Sequence, residues 1–175
     1  YSTAFRNNAL AFLMQARGAF PPNVDIRDVL DLYIQCCAVE VDCRTMAALA
    51  ATLANNGVCP FTGETVLSPA TVRRTLSLMF SCGMYDYSGE WCVQVGLPAK
   101  SGVAGFIFAI VPGVMGVATF SPRLDASGNS VRGIEFFKRL VARWKVSIFD
   151  QVLRSSLNPA DSNQAKAART MSNNS

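Results

Sequence analysis

Apolar residues recur at helical spacing through the first half of the chain, and the stretches are separated by glycine, proline and short polar residues. The second stretch is apolar around most of its circumference, which predicts a buried helix. Asp25 or Asp28 is the expected N-cap of that helix, while Asp42 and Ser68 are expected to cap the third and the fourth. The pattern predicts four helices, over Phe5–Met14, Ile26–Val39, Cys43–Ala54 and from Pro69 to Gly83.

The spacing changes after the fourth helix. Alternation predicts a strand over Trp91–Val95, and the segment Gly96–Gly105 that follows, rich in glycine, predicts a turn region. The uncharged run Val103–Phe120 approaches the length of a membrane span, but several glycines and a proline interrupt it. It therefore predicts two buried strands joined by a tight turn, and no membrane helix. The last elements are the strands Phe106–Val111 and Val114–Phe120, and a helix over Val131–Lys145.

This order of elements predicts an α+β fold in which helices pack on an antiparallel sheet. Three strands make a thin sheet, so we expect further strands in chain that precedes residue 1. The sequence starts at Tyr1 without Met or a targeting signal and soon enters a helical pattern, which predicts a cut through a domain. Residues 154–175 hold almost no bulky apolar side chains and are predicted to form a disordered polar tail.

Composition excludes several classes of protein. Half of the 175 residues are hydrophobic and 16% are charged, which rules out an intrinsically disordered chain. The net charge of +4 is mild, residues 151–175 carry half of it, and the sequence has no dense basic stripe of the kind that binds nucleic acid. The chain has no histidine, so no Ser-His-Asp triad or zinc-histidine site can be built from it. Any proton transfer within this chain must therefore use lysine, tyrosine or a carboxylate.

The six cysteines form no Cys-x-x-Cys pair and no repeated spacing, and their sequence neighbours are mostly apolar. This pattern predicts reduced thiols in the core of a protein from a reducing compartment.

Two polar segments hold the side chains with the most chemical potential. Ser81–Gly89 contains two tyrosines, and Gly96–Gly105 contains a lone lysine, a serine and three glycines directly before a buried strand. In penicillin-recognising serine hydrolases, a Lys-Ser/Thr-Gly triad at a strand start lines the active site. The lysine offers positive charge, and glycine lets a substrate approach the backbone. As a bare tripeptide, Lys100-Ser101-Gly102 also fits an ordinary turn before a strand.

Longer strings decide between these interpretations, because together they closely resemble the serine-dependent glutaminase family over about residues 1–150. The resemblance implies the C-terminal part of a glutaminase catalytic domain, over residues 1–153, with a β-lactamase/transpeptidase-like fold. It further implies hydrolysis of L-glutamine to L-glutamate and ammonia without a cofactor or metal, in a homo-oligomer. The matching strings are Ala51–Pro60, Thr75–Asp86, Gly96–Gly105, Phe5-Arg6-Asn7, Ser121-Pro122, Leu124-Asp125 and Gly128–Val131.

The resemblance also implies roles for five residues. Asn7 and Tyr33 match substrate-binding residues of the family, and Tyr85 matches an active-site tyrosine that handles protons and contacts substrate. Val103 matches the residue whose backbone N–H joins the oxyanion hole, and Lys100 stands in the place of the triad lysine. Without the family, Tyr33 would be interpreted as a core tyrosine, Asn7 as an ordinary polar residue and Lys100 as a salt-bridge partner.

The chain departs from the family in its nucleophile. The family uses the serine of a Ser-x-x-Lys element, but no lysine here has serine three positions before it; those positions hold Leu97, Glu135, Ala142 and Asn163. The nucleophile is therefore expected upstream, and the chain alone is expected to be inactive. Alternatives are another penicillin-recognising-type serine hydrolase or a non-catalytic assembly fragment. The expected location is cytoplasmic, or mitochondrial if the source is eukaryotic.

Overall fold

The computed structural model describes residues 4–150, so the predicted disordered tail at 154–175 lies outside the described residues. Contacts divide the chain into two compact units, with the boundary between Val41 and Asp42. The helices are α1 (Phe5–Ala16), α2 (Ile26–Cys37), α3 (Cys43–Ala54), α4 (Pro69–Cys82), α5 (Ser88–Gln94) and α6 (Val131–Trp144), with a short 3-10 turn over Tyr85–Tyr87. The strands are β1 (Ala99–Gly102), β2 (Phe106–Val111) and β3 (Met115–Phe120).

The first unit is a helical hairpin of α1 and α2. Asp25, one of the two predicted caps, accepts a hydrogen bond from the backbone N–H of Arg27 at 2.8 Å. The prediction that α2 is buried is wrong, because only Ile26 and Leu30 of this helix are buried and Leu32 is 64% exposed. Within its unit, α2 has α1 alone to pack on, so one stripe of the helix is covered.

The second unit begins with helices whose caps are as predicted. The Asp42 carboxylate accepts from the Thr45 N–H at 2.7 Å at the start of α3. Ser68 accepts from the Thr71 N–H at 3.2 Å at the start of α4, where Pro69 occupies the first helical position. These side chains satisfy backbone donors that have no partner inside the helix, which is why the helices begin there.

The sheet is antiparallel, with strand order β1-β2-β3. The two strands predicted from the uncharged run are confirmed as β2 and β3, and no helix within residues 4–150 is long and apolar enough to cross a membrane. Helix α3 lies directly on β3, and an added Cβ at Gly116 would fall 2.2 Å from the carbonyl carbon of Ala50. This close approach needs a glycine.

Helices cover both faces of the sheet. Ile107, Ala109 and Val111 of β2 belong to the larger core cluster, which includes Trp91 of α5 and Phe137 of α6. The intervening β2 residues Phe108 and Ile110 belong to a second cluster with α3 and α4. Alternate residues of a strand point to opposite faces, so β2 is the centre of a three-layer α+β unit. The predicted α+β class with helices on an antiparallel sheet is confirmed.

The predicted strand over Trp91–Val95 is wrong, because this segment forms most of α5. A strand would place Trp91, Val93 and Val95 on one face. In the structure Trp91 and Val95 are buried, whereas Val93 is 86% exposed. Burial at positions four apart is helical spacing, which five residues cannot distinguish from alternation.

The predicted turn region Gly96–Gly105 is also partly wrong, because Ala99–Gly102 is strand β1 and pairs with β2. Its proline and glycines lie at or beyond the ends of the strand, so they border the ladder without breaking it.

The six cysteines are free thiols, but the prediction that they lie in the core is wrong. Cys59 and Cys92 are half-buried, and the others are exposed, namely Cys36, Cys37, Cys43 and Cys82. Several stand on outward helical faces, where apolar sequence neighbours do not imply burial. Hydrogen bonds from the Thr62 side chain and backbone lower the pKa of Cys59 to about 7.

Candidate functional site

The site in the second unit forms where the C-terminal end of α4 meets β1. An added Cβ at Gly83 would lie 1.7 Å from the carbonyl oxygen of Ala99, so glycine alone allows this approach. The Ser101 N–H donates to the Gly83 carbonyl at 2.9 Å. The chain that leaves α4 is thereby held against β1, which places the next residues beside the strand.

Tyr85 follows this junction with a left-handed backbone, at φ 55°. For a residue with a side chain that conformation costs about 1–2 kcal/mol, so the surrounding structure must favour it. The Tyr85 hydroxyl donates to the carbonyl oxygen of Ser101 at 3.2 Å. The phenol is therefore anchored on β1, although 39% of the residue remains exposed.

Lys100 brings a positive charge to the same place. Its ammonium lies 4.8 Å from the centroid of the Tyr85 ring and donates to the Ser101 carbonyl. The 4.8 Å separation suits attraction between the ammonium and the aromatic ring. Partial burial lowers the pKa of Lys100 from its ordinary value of 10.5, and a charge interaction with Cys82 partly opposes this shift. The structure thus brings together Tyr85 and Lys100, which lie in two separate segments of the sequence.

One backbone atom, the Ser101 carbonyl oxygen, accepts from both side chains. The sequence does not predict this feature, because every residue has a backbone carbonyl and the residue type does not show which of them accepts such hydrogen bonds. The Ser101 side chain points away from Lys100, in keeping with strand alternation, and is 2% exposed. Val103 lies in the turn directly after β1, and its side chain is 74% exposed.

The other two predicted site residues lie in the first unit. Asn7 on α1 and Tyr33 on α2 line the same cavity, whose volume is about 310 Å³. Apolar side chains form most of its wall, including Leu10 of α1, Leu30 of α2 and Phe20 from the segment between the two helices. The structure therefore brings Asn7 and Tyr33 together at one cavity of the first unit, and Tyr85 and Lys100 together within the second unit.

The chemistry available in the second unit is proton transfer and charge stabilisation. A phenol can donate or accept a proton, and a nearby ammonium stabilises negative charge that develops on its oxygen. No group of three or more cysteine, aspartate or glutamate side chains within the described part of the chain could hold a metal ion.

Comparison with known proteins identifies the family. The glutaminase family model matches residues 1–149. The chain belongs to the glutaminase family. It is 51% identical over 150 residues to the mitochondrial liver isoform of glutaminase from Mus musculus, covering 86% of this chain and 25% of that protein. It is 48% identical to a Nostoc glutaminase, covering 85% of this chain and 44% of the relative.

A solved structure, described as the "probable glutaminase ybaS", agrees with the fold. It superposes with a TM-score of 0.80 at 41% identity, over 85% of this chain and 47% of that one. The helices and the antiparallel sheet are therefore those of a glutaminase, in keeping with the predicted β-lactamase/transpeptidase-like class. The chain spans between a quarter and half of the length of these relatives.

Proposed function

We propose that this chain is the C-terminal part of an enzyme that hydrolyses L-glutamine to L-glutamate and ammonia. The family match and the names of the relatives support the activity. The observation that carries the proposal is the convergence of Tyr85 and Lys100 on the Ser101 carbonyl, because it forms an acid–base pair without histidine. The nucleophilic serine and its Ser-x-x-Lys lysine lie upstream of these 175 residues, so the chain alone is inactive.

The reaction is acyl transfer through a serine ester. The upstream serine oxygen attacks the carboxamide carbon of glutamine, and its proton passes to the neutral amine of the Ser-x-x-Lys lysine. Collapse of the tetrahedral intermediate breaks the C–N bond, and ammonia leaves after receiving a proton from Tyr85. Water then attacks the ester while one of its protons passes to the Tyr85 phenolate, and the serine oxygen leaves with the proton held by the upstream lysine, which releases glutamate and regenerates both groups.

Lys100 and Val103 act on charge. The Lys100 ammonium, beside the Tyr85 ring, stabilises the phenolate that remains after proton donation. The backbone N–H of Val103 donates to the oxyanion of the tetrahedral intermediate, so its exposed side chain takes no part in the reaction.

Asn7 and Tyr33 hold the amino-acid end of glutamine. An asparagine amide offers both donors and an acceptor, and a tyrosine hydroxyl can do either, which suits an ammonium and a carboxylate together. Their shared cavity of about 310 Å³ supports a binding role for the pair.

The full enzyme is a homo-oligomer in the cytoplasm or, in a eukaryote, in the mitochondrion. The exposed apolar residues of α1, Phe5, Phe12 and Leu13 among them, support assembly through helical surfaces. Sedimentation of the full-length protein tests this point, and a monomer at micromolar concentration would contradict it.

The activity is tested by measuring ammonia and glutamate released from L-glutamine. The 175-residue chain is compared with the same chain carrying its upstream coding sequence. Activity in the longer chain alone supports the proposal. Activity in the short chain would overturn the assignment of the nucleophile. Activity in neither would overturn the glutaminase assignment, and a panel of β-lactams and peptides would then separate another serine hydrolase from a non-catalytic assembly module.

A further inference from the structure

The backbone around Tyr85 is held by two buried polar side chains that the proposed reaction does not use. Ser88 lies at the start of α5, and Asn129 lies in the loop before α6. Both are buried, and Asn129 is completely inaccessible to solvent. Buried polar side chains are costly unless their hydrogen bonds stabilise something specific, so their partners indicate their role.

Ser88 uses its hydroxyl twice. The oxygen accepts from the Met84 N–H at 3.0 Å, and the hydroxyl donates to the Tyr85 carbonyl at 2.7 Å. The hydroxyl thus connects the residue before Tyr85 to the peptide group after it.

Asn129 holds the other side of Tyr85. Its amide nitrogen donates to the Met84 carbonyl at 3.1 Å, an oxygen that also accepts from the Tyr87 N–H. The Asn129 backbone is itself fixed, because its N–H donates to the Asp125 carboxylate at 2.9 Å and its carbonyl accepts from the Asp125 N–H at 2.8 Å. The loop therefore holds the side-chain amide of Asn129 in position to donate to the Met84 carbonyl.

These bonds fix the two peptide groups that flank Tyr85. The Met84 carbonyl belongs to the preceding peptide and the Tyr85 carbonyl to the following one, so anchoring both restrains φ and ψ of Tyr85. The restrained conformation is the left-handed one, at φ 55°, which a tyrosine rarely adopts unaided. It is also the conformation in which the Tyr85 hydroxyl reaches the Ser101 carbonyl beside Lys100.

We propose that Ser88 and Asn129 are positioning residues, which together hold Tyr85 in the backbone conformation that places its phenol beside Lys100. We call the pair the Ser88–Asn129 clamp. The inference rests on the proposed glutaminase function, and it assigns to the clamp no contact with substrate. The clamp acts by holding the Tyr85 hydroxyl, the proposed proton donor, in its position beside Lys100.

The test uses the longer chain that hydrolyses glutamine. Asn129→Asp keeps the size of the side chain and replaces the donating nitrogen with oxygen. We expect kcat to fall roughly 10- to 100-fold, the effect of a small misplacement of a catalytic group, with KM nearly unchanged. Ser88→Ala should have a similar effect, and Ser88→Thr, which keeps the hydroxyl, should restore most of the loss.

A matched control separates positioning from stability. Ser130 is buried next to Asn129 and caps α6 by accepting from the Gly133 N–H at 3.1 Å, whereas the side-chain hydrogen bonds to the backbone of Met84 and Tyr85 come from Ser88 and Asn129. Ser130→Ala should lower the melting temperature and leave kcat within about twofold of wild type. An equal loss of kcat in Ser130→Ala and Asn129→Asp would overturn the proposal.

A double-mutant cycle asks whether Asn129 acts through the Tyr85 hydroxyl. If it does, Asn129→Asp should change kcat by less than about twofold in a Tyr85→Phe background. If the fold-losses of kcat in the two single variants multiply in the double variant, Asn129 has an independent structural role and the proposal is overturned.

The pH dependence of the Asn129→Asp variant gives a further test. The ratio of its kcat to that of wild type should rise as pH falls, because a protonated aspartic acid can again donate to the Met84 carbonyl. A ratio independent of pH would contradict the assigned hydrogen bond.

Hydrogen exchange tests the clamp without relying on activity. The Met84 amide, whose acceptor is Ser88, should exchange faster in Ser88→Ala than in Ser130→Ala. If wild type hydrolyses no glutamine, the proposed function fails, while this measurement still decides the clamp. Unchanged exchange of Met84 in Ser88→Ala would overturn the clamp whatever the activity.

Discussion

The two compact units of this chain differ in how they bury their apolar residues. The hairpin of α1 and α2 has one cluster of three buried residues, whereas the sheet-containing unit has clusters of eleven and six. In a pair of helices each helix buries only one apolar stripe against the other, whereas a central strand is covered by helices on both faces. The sheet unit can therefore hold side chains rigidly, and the hairpin by itself cannot.

The proposed chemistry follows this difference. Tyr85 and Lys100, which must keep a defined mutual distance, stand on the rigid unit, next to the strand that the larger core supports. Asn7 and Tyr33, which are proposed to bind substrate, stand on the hairpin. The comparison predicts stability and kcat effects in the second unit, and KM effects in the first.

The largest expected effect is on stability. Trp91 is fully buried, lies 5.5 Å from Phe137 in an edge-on contact, and donates from its indole to the Leu97 carbonyl at 2.8 Å. Trp91→Ala should lower the free energy of unfolding by about 3–5 kcal/mol, and Leu30→Ala in the hairpin by about 2 kcal/mol. Urea unfolding followed by circular dichroism measures both. Equal losses of unfolding free energy in the two variants would contradict the proposed difference between the two units.

The next effect is on the chemical step of the full-length enzyme. Tyr85→Phe removes the hydroxyl that reaches the Ser101 carbonyl and should reduce kcat by roughly 100-fold or more, with little change in KM. Tyr87→Phe is the matched control, since the Tyr87 hydroxyl donates to Gln94 at 3.0 Å, away from Lys100. Wild-type kcat in Tyr85→Phe would remove Tyr85 from the mechanism.

A smaller effect is expected in the hairpin. Asn7→Ala should raise KM about tenfold, the loss of one hydrogen bond to a charged group, and should affect kcat less. Asn8→Ala is the control, because the Asn8 amide donates to the Ala4 carbonyl within α1. A change confined to kcat in Asn7→Ala would contradict a binding role.

The smallest effect is a shift in pH dependence. The pKa of Lys100 is below 10.5, so its positive charge is lost at a lower pH than that of an ordinary lysine. If the charge assists Tyr85, activity should decline on the alkaline side below pH 10.5. Lys100→Arg should move that decline to higher pH, because arginine keeps its charge. Lys138→Arg, whose residue lies 5.9 Å from the Tyr87 ring, should leave the profile unchanged. If the alkaline decline of activity stays at the same pH in Lys100→Arg, a group other than Lys100 causes it.

Much of the fold could be predicted from local pattern. Helix starts at Asp42 and Ser68 are confirmed, because a cap needs only a side-chain oxygen and a nearby N–H. The strands β2 and β3 are confirmed because glycine and proline interrupt a buried apolar run. Helix α5 and strand β1 were missed, since short segments carry too few residues for their period to show.

The candidate site divides in the same way. The residue types of Tyr85 and Lys100, the absence of histidine and the missing Ser-x-x-Lys element can be read from the sequence itself, and within these 175 residues they exclude proton transfer by an imidazole. The meeting of Tyr85 and Lys100 at the Ser101 carbonyl, and the hold of Ser88 and Asn129 on the Tyr85 backbone, are properties of the folded chain. Asn129 is 45 residues from Met84, and contacts at such separation arise from packing of α6 and its loop against the sheet, which no local pattern encodes.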